Sequence, residues 1–340
     1  MKTIYTYTAM LIIACTATVM PLNAQNDDTI LLSVDGYKHG TIQWQESGDG
    51  ETWTDIAEAK ETTVEIDDAI PAYYRAQIIS GTCNPWYSDT YITGSEQIPM
   101  VTVEGGSFNM GAVPTDSEAY ENENPPHIVQ VAAFTISRYE ITNIQYVKFL
   151  NEKQVGKDGI FNTTNDGQQL LIAPHKWALE YIGNSWTVHK GFELYPVINV
   201  TWYGANEYCL WAGGRLPSEI EWEYAARGGV AKLEFIYSGN NEVDKVGWTA
   251  SNAQEHTHRI GEKQPNELGI YDMSGNVWEW CSNLYVEYNT TDSSTLPYNV
   301  FRGGSCYTSD RLCRNTLRYY GNPVHHYNSL GFRLCKNIIQ

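Results

Sequence analysis

Between Thr29 and Thr93 apolar and polar positions alternate in short runs, "TILLSV", "GTIQWQES", "TTVEI", "YYRAQII" and "DTYIT", separated by turn residues that include Asp49-Gly50. Ile42 with Trp44, and Tyr74 with Ala76, stand two positions apart, so each pair lies on one face of its strand. This pattern predicts a small all-β module over residues 25–95 with alternate positions facing a shared core. After "TGSEQIP" the texture changes to a few helical runs among Gly-, Asn- and Trp-rich loops. "TNIQYVKFLNE" opens with Thr142 and Gln145 in capping-box spacing and carries Tyr146, Phe149 and Leu150 on its inner face. "TWYGANEYCLWAG" starts at Thr201, and "SEIEWEYAARGG" has Ser218 and Glu221 as a second box with Gly228 as its stop. Residues 99–337 therefore read as one compact α+β domain.

The first residues, "MKTIYTYTAMLIIACTATVMPLNAQ", place Lys2 before an apolar run from Met10 to Ala14, with small residues at Asn23 and Ala24. That order predicts a secretory leader over residues 1–24, cut after Ala24, and an exported, periplasmic, cell-surface or secreted protein. A second reading takes "LIIAC" as a lipidation signal, cut before Cys15 and leaving a lipid anchor on it. Nothing else approaches the length of a membrane span.

A formal charge of −18 over 340 residues changes the list of partners. Nucleic acid would be repelled by this field, whereas a divalent cation or a basic partner would be attracted. Export makes Cys83, Cys209, Cys281, Cys306, Cys313 and Cys335 disulfide candidates, with no second cysteine in the first module for Cys83. No phosphate loop, dinucleotide fingerprint or nucleophile elbow is present.

The segment "IQWQESGDGETWTDI" with "AYYRAQIISGTC" resembles the immunoglobulin-like modules of exported Bacteroidetes-type proteins, which implies an immunoglobulin-like sandwich used as a spacer or adhesive unit. The remainder is more specific. "GGSFNMGA", "FTISRYEITNIQYVKFLNE", "YPVINVTWYGANEYCLWAGGRLPSEIEWEYAARGG", "THRIGEKQPNELGIYDMSGNVWEWC", "FRGGS" and "LGFRL" occur in the order of the formylglycine-generating enzyme, or sulfatase-modifying-factor, family. The resemblance implies a C-type-lectin-like fold. Enzymes of that family oxidise a sulfatase cysteine to formylglycine with O₂ and a Cu(I) ion held by two thiolates, soft ligands suited to a soft ion. Their first thiol lies three residues after the serine of "GGS" and the second five residues further on; counted from Ser305, these positions are Thr308 and Cys313.

The second thiol position is thus filled and the first is not, with Cys306 two residues away from it. Ser305 and Trp278 match pocket-lining positions of the enzymes. The resulting expectation is a protein that binds an extracytoplasmic protein or surface ligand; the alternative is a copper-dependent oxidase acting on a sulfatase through Cys313, Ser305, Trp278 and Cys306. The resemblance also implies bridges Cys209–Cys335 and Cys281–Cys313, and one Ca²⁺ held by the carboxylates of Asp272 and Glu279 and the carbonyls of Gly275 and Val277. His256 and His258 lack a third ligand at metal spacing. Finally "RNTLRYYGNPVHHYNS" concentrates residue types of recognition loops. It marks Tyr319, Tyr320, His325, His326 and Tyr327 as candidate ligand contacts, in the segment that variable proteins with this fold vary.

Overall fold

The computed structural model describes residues 17–26, 29–37, 39–67, 70–80, 85–94, 97–114, 116–175, 177–231, 234–288 and 297–338, and the chain divides into two units, Met1–Thr93 and Gly94–Gln340. Cys15 and Cys83 lie outside the described residues. Among the described residues no helix is long and apolar enough to cross a membrane.

The first unit is all β. Its strands are β1 (Thr18–Asn26), β2 (Thr29–Asp35), β3 (Thr41–Ser47), β4 (Thr54–Asp55), β5 (Thr63–Asp67), β6 (Tyr73–Ile79), β7 (Trp86–Tyr87) and β8 (Tyr91–Ile92). One antiparallel sheet runs β1-β2-β5; the other runs β4-β3-β6-β7, with β8 also on β6. The pairing sets Trp44 opposite Ala76 and Glu46 opposite Tyr74. Period-two alternation then sends Leu32, Ile42, Trp44, Ala76 and Ile78 into one core fed by both sheets. Trp44 satisfies its buried indole N–H on the Glu61 carbonyl at 3.0 Å.

Thr18 to Asn26 form strand β1, paired with β2 from Thr18↔Asp35 to Asn26↔Thr29, so this strand runs across the expected boundary between residues 24 and 25.

In the second unit, β9 (Met100–Val103), β12 (Phe134–Ser137) and the strand Cys335–Asn337 form one sheet, and β10 (Gly106–Met110) pairs with β11 (His127–Val131). Three helices follow the expected runs: α1 (Asn143–Glu152), α2 (Trp202–Trp211) and α3 (Glu219–Ala226). Both capping boxes form at the helix starts. The backbone N–H of Thr142 donates to Gln145 at 3.0 Å, and that of Ser218 to Glu221 at 2.8 Å. Gly228, at φ +76°, closes α3 in the left-handed conformation that a side chain would resist. A four-stranded sheet runs in the order Tyr319–Gly321, Asn299–Arg302, Trp278–Leu284, Leu330–Gly331.

Beneath this sheet lie guanidinium–carboxylate pairs taken almost wholly out of water. Arg302 meets Glu223, Arg318 meets Glu219 at 2.6 Å, Arg333 meets Glu279 at 2.6 Å, and Arg314 meets both Asp116 and Glu123. Each buried charge needs such a partner, since an unpaired one would cost several kcal/mol.

Among the described residues no disulfide is formed. Cys209, Cys281, Cys306, Cys313 and Cys335 are buried free thiols. Cys281 lies in the core beside Trp222 and Val300, whereas Cys313 contacts Thr308 and the Ser309 carbonyl, so the pair Cys281–Cys313 is not brought together. Cys209 and Cys335 are neighbours but remain thiols; burial, and then the adjacent Cys335 sulfur, pushes Cys209 well above the usual thiol range.

Away from the site, His175 has both ring nitrogens buried without a partner, and burial, helped by nearby His189, depresses its pKa to about 4. An unfolded histidine takes up its proton near 6.5. Between the two values the unfolded state binds more protons, so stability must fall as pH drops from about 6.5 to about 4. His175→Gln is expected to remove roughly 2 kcal/mol of that pH dependence. Denaturant melts at pH 7 and pH 4.5 would check it, and an unchanged slope would refute the assignment.

Candidate functional site

The "GGS" turn leads from the Asn299–Arg302 strand into a tight loop and the single turn Asp310–Cys313. Gly303 and Gly304 both have positive φ, at +96° and +75°. A Cβ on Gly304 would come within 2.4 Å of the Cys313 sulfur, so glycine is what admits that thiol behind the turn. Ser305 is fully buried and serves the turn: its hydroxyl accepts from the Tyr307 N–H at 3.3 Å. Thr308 closes it, accepting from the Ser305 N–H at 2.8 Å and donating to the Ser305 carbonyl at 2.9 Å.

The two positions counted from Ser305 do meet in space. The Thr308 hydroxyl oxygen lies 3.4 Å from the Cys313 sulfur. Cys313 is fully buried, and burial drives its thiol up to about 12, against the opposing pull of the Thr308 hydroxyl. Cys306 is likewise buried, donates its N–H to the Asn276 carbonyl at 2.9 Å, and is raised to about 12 by burial and then by Glu140. Cys313 is close enough to Cys306 to oppose its ionisation, yet it is Thr308 that holds the contact with the Cys313 sulfur. The residues therefore do not fit a two-thiolate Cu(I) site: a hard neutral hydroxyl faces a protonated, solvent-excluded thiol.

Trp278 is almost buried, edge-on to Phe301 at 5.2 Å and beside Tyr319 at 5.8 Å. From there an aromatic surface runs outward. Tyr319 is 54% exposed and Tyr327 44%, while His325 and His326 also face solvent. Tyr320 stacks on Tyr298 at 5.7 Å and 13°, with Tyr285 4.2 Å away, and Tyr327 shares a 3.0 Å hydrogen bond with His325. All five residues expected to contact ligand are thus presented by the edge strand Tyr319–Gly321 and the loop after it.

Sequence reasoning missed the opposite wall. Tyr120, Glu121 and Asn122 join Leu312, Leu317, Arg318 and Tyr319 around a groove of about 430 Å³. Arg311 stacks its guanidinium on Tyr120 at 4.0 Å, and Arg314 ties this distant segment down through Asp116 and Glu123. Those pairings span nearly 200 positions of sequence, and the only local trace is an acidic run with one tyrosine.

The residues expected to hold Ca²⁺ are in different states. Glu279 has both oxygens engaged, by Arg333 at 2.6 Å each and by the Trp222 indole N–H at 2.7 Å. Asp272 accepts from the Gly261 N–H through one oxygen at 2.7 Å, but its other oxygen is buried with no partner. Glu140, which the sequence did not single out, joins them, accepting from Asn276 at 2.7 Å and from the Val277 N–H at 3.2 Å. Burial, then Asp272 and Glu279, push Glu140 well above the carboxylate range; burial raises Asp272 to about 6. No cage of three or more His, Cys, Asp or Glu ligands exists among the described residues. His258 is occupied elsewhere, stacked on Trp248 at 3.6 Å, with Lys263 over the Trp248 ring at 3.8 Å.

Comparison with known proteins gives this geometry its context. The profile of the sulfatase-modifying factor enzyme 1-like domain matches residues 93–338, and a domain of unknown function matches residues 16–94. The chain is 34% identical over 252 residues to serine/threonine-protein kinase pkn1 of Chlamydia pneumoniae, covering 70% of this chain but only 38% of that protein. It is 31% identical over 280 residues to the formylglycine-generating enzyme of Streptomyces coelicolor (70% of this chain, 88% of that one). It is 28% identical over 279 residues to the inactive C-alpha-formylglycine-generating enzyme 2 of Mus musculus (72% and 88%). Among solved structures, PvdO from Pseudomonas aeruginosa superposes with a TM-score of 0.54 at 24% identity, over 70% of this chain and 94% of that one.

Proposed function

We infer, given that the chain belongs to the sulfatase-modifying factor enzyme family over residues 93–338, that its second unit binds a partner and does not oxidise one. The observation that carries this is the 3.4 Å contact between the Thr308 hydroxyl and the Cys313 sulfur. A hydroxyl stands where copper chemistry needs a second thiolate, and the remaining thiol is shut away from solvent in its protonated form. What faces outward is the tyrosine- and histidine-bearing surface around Tyr319, Tyr320, His325, His326 and Tyr327. Tyrosine offers large contact area with few torsions to freeze. The partner is an extracytoplasmic protein or surface ligand, and the immunoglobulin-like reading of the first unit makes that unit a spacer. Incubation with Cu(I), O₂ and a sulfatase-motif peptide should leave the peptide cysteine unchanged by mass spectrometry. Formylglycine that disappears in Cys313→Ser would refute the reading. Tyr319→Ala and Tyr327→Ala should keep the melting temperature while weakening a captured surface partner by about 2 kcal/mol or more.

A calcium ion belongs to the same proposal. The observation in its favour is the unpartnered buried oxygen of Asp272, in a cluster where Asp272, Glu140 and Glu279 surround Arg333 and negative charge is in excess. Calcium takes carboxylate and carbonyl oxygens, here Asp272 with the carbonyls of Gly275 and Val277 and with Glu279 sharing itself with Arg333. Calcium should raise the melting temperature by mass action, by several degrees at saturating ion. Asp272→Ala should abolish that response; identical melts in calcium and chelator for the unaltered chain would remove the ion from this account.

A further inference from the structure

Helices α1 and α2 and the strand Cys335–Asn337 contribute to a pocket of about 330 Å³ that shares no residue with the aromatic surface or with the groove at Tyr120. Gln145 and Lys148 stand three positions apart on α1, and Tyr208 and Trp211 three apart on α2, so each pair lies on one face of its helix. Gln145 frames the mouth. Its side-chain oxygen accepts from the Thr142 N–H and its amide donates to the Gly94 carbonyl, both at 3.0 Å. Trp211 gives its indole N–H to Glu152 at 3.0 Å, so what it offers the pocket is its ring.

Two groups in this lining are built but unused. Tyr208 is 1% exposed, wedged against Tyr146 at 5.6 Å, Phe149 at 5.5 Å and Phe332 at 5.3 Å. Its ring lines the pocket, yet no group among the described residues hydrogen-bonds its hydroxyl. A tyrosine needed for packing alone could be phenylalanine, and a buried hydroxyl without a partner is unfavourable. Burial holds this phenol well above its usual range, so it faces the pocket as a neutral donor. Lys336 is the second group. Its ammonium has no ion-pair or hydrogen-bond partner among the described residues, in a chain where acids outnumber Lys and Arg by 40 to 22 and a free carboxylate is easily met. Lys148 brings another ammonium to the same lining.

We propose that this pocket binds a small organic carboxylate. The ammonium groups of Lys336 and Lys148 and the Tyr208 hydroxyl hold the carboxylate through charge-assisted hydrogen bonds, and the Trp211 ring with Ile98 covers its apolar body. The volume is that of a small-molecule site, apolar walls with a few convergent polar groups. Inorganic phosphate matches the cations but has no body to set against Trp211 and Ile98.

The probe is benzoate, with benzamide as its neutral isostere and inorganic phosphate as an anion without a ring. Titration calorimetry on the full chain should show saturable benzoate binding, with benzamide and phosphate weaker by at least about tenfold. Lys336→Met keeps the stem and removes the charge, and should weaken benzoate by at least about tenfold. Tyr208→Phe should weaken it by a similar factor while the denaturant midpoint of the ligand-free chain stays the same or rises, because no protein hydrogen bond is lost. Benzoate that does not bind, that binds no tighter than benzamide or phosphate, or that is indifferent to Lys336→Met would overturn the proposal. So would a Tyr208→Phe chain that binds benzoate as the native chain does, or one whose ligand-free midpoint falls, since the hydroxyl would then serve the fold.

Discussion

Replacing Arg302 by methionine is expected to destabilise the second unit by about 3–5 kcal/mol, because it removes one member of a buried ionic network and leaves the others in place. Arg302 is fully buried. Its guanidinium meets Glu223 and donates to the carbonyls of Asn315 at 3.1 Å, Thr316 at 3.0 Å and Leu317. Methionine fills a similar volume but supplies no donor, so three carbonyls and part of a carboxylate lose their hydrogen bonds without gaining water. Glu223 keeps Arg227 at 2.8 Å, which limits the loss to this range. Residues 315–317 lead directly into the Tyr319–Gly321 strand, so the same change should loosen the proposed binding surface. The control is the exposed pair Lys245–Glu242, 2.8 Å long but open to solvent, where Lys245→Ala should cost no more than about 0.5 kcal/mol. Denaturant unfolding of both variants checks the contrast, and equal midpoints would show that the buried network contributes no more than a surface pair.

That network also marks the boundary of what the sequence could reveal. The helix starts at Thr142 and Ser218 were legible because a capping box is written within four consecutive positions. The strands from Thr29 onward were legible because alternation is local and turn residues punctuate it. Thr308 and Cys313 could be placed together by counting from Ser305, and they touch. Glu140 could not be found this way. Its partner Asn276 is 136 positions away, and nothing near it hints that a carboxylate is being buried. Tyr120 is brought to the groove beside Tyr319 with the help of Arg314, which pins Glu123 from 191 positions downstream. Strand β1 was not legible for a different reason: its apolar and small residues also have the composition of a leader's end, and its pairing with β2 shows only in the structure. For the bridges, resemblance names cysteine positions only; in the structure Cys209 and Cys335 are neighbouring free thiols, while Cys281 and Cys313 have different surroundings.

Thr308→Cys is expected to raise the affinity of this site for Cu(I) above that of the native chain. The threonine hydroxyl already lies 3.4 Å from the Cys313 sulfur, so a thiol at this position would face Cys313 with no change in backbone path. The two side chains differ little in volume, and the Thr308 N–H and carbonyl bonds that hold the turn belong to the backbone: its N–H donates to the Ser305 carbonyl at 3.0 Å and its carbonyl accepts from Ala250 at 2.9 Å. The substitution does cost the side-chain bonds to Ser305 at 2.8 and 2.9 Å, about 1–2 kcal/mol of stability. A second sulfur supplies the soft ligand that Cu(I) requires, and binding would draw both thiols into the thiolate form despite the burial that now holds Cys313 near 12. Loss of a mere outer-shell partner weakens metal sites by 10–100-fold, so adding a direct ligand should tighten Cu(I) binding by at least about a hundredfold. Competition against a calibrated Cu(I) chelator would measure it, with Thr308→Ser as the control that preserves the hydroxyl and should bind no better than the native chain. If Thr308→Cys also binds no better, positions 308 and 313 do not form a metal-competent pair in this fold, and the absence of a thiol at 308 could no longer be the reason for assigning the protein to binding.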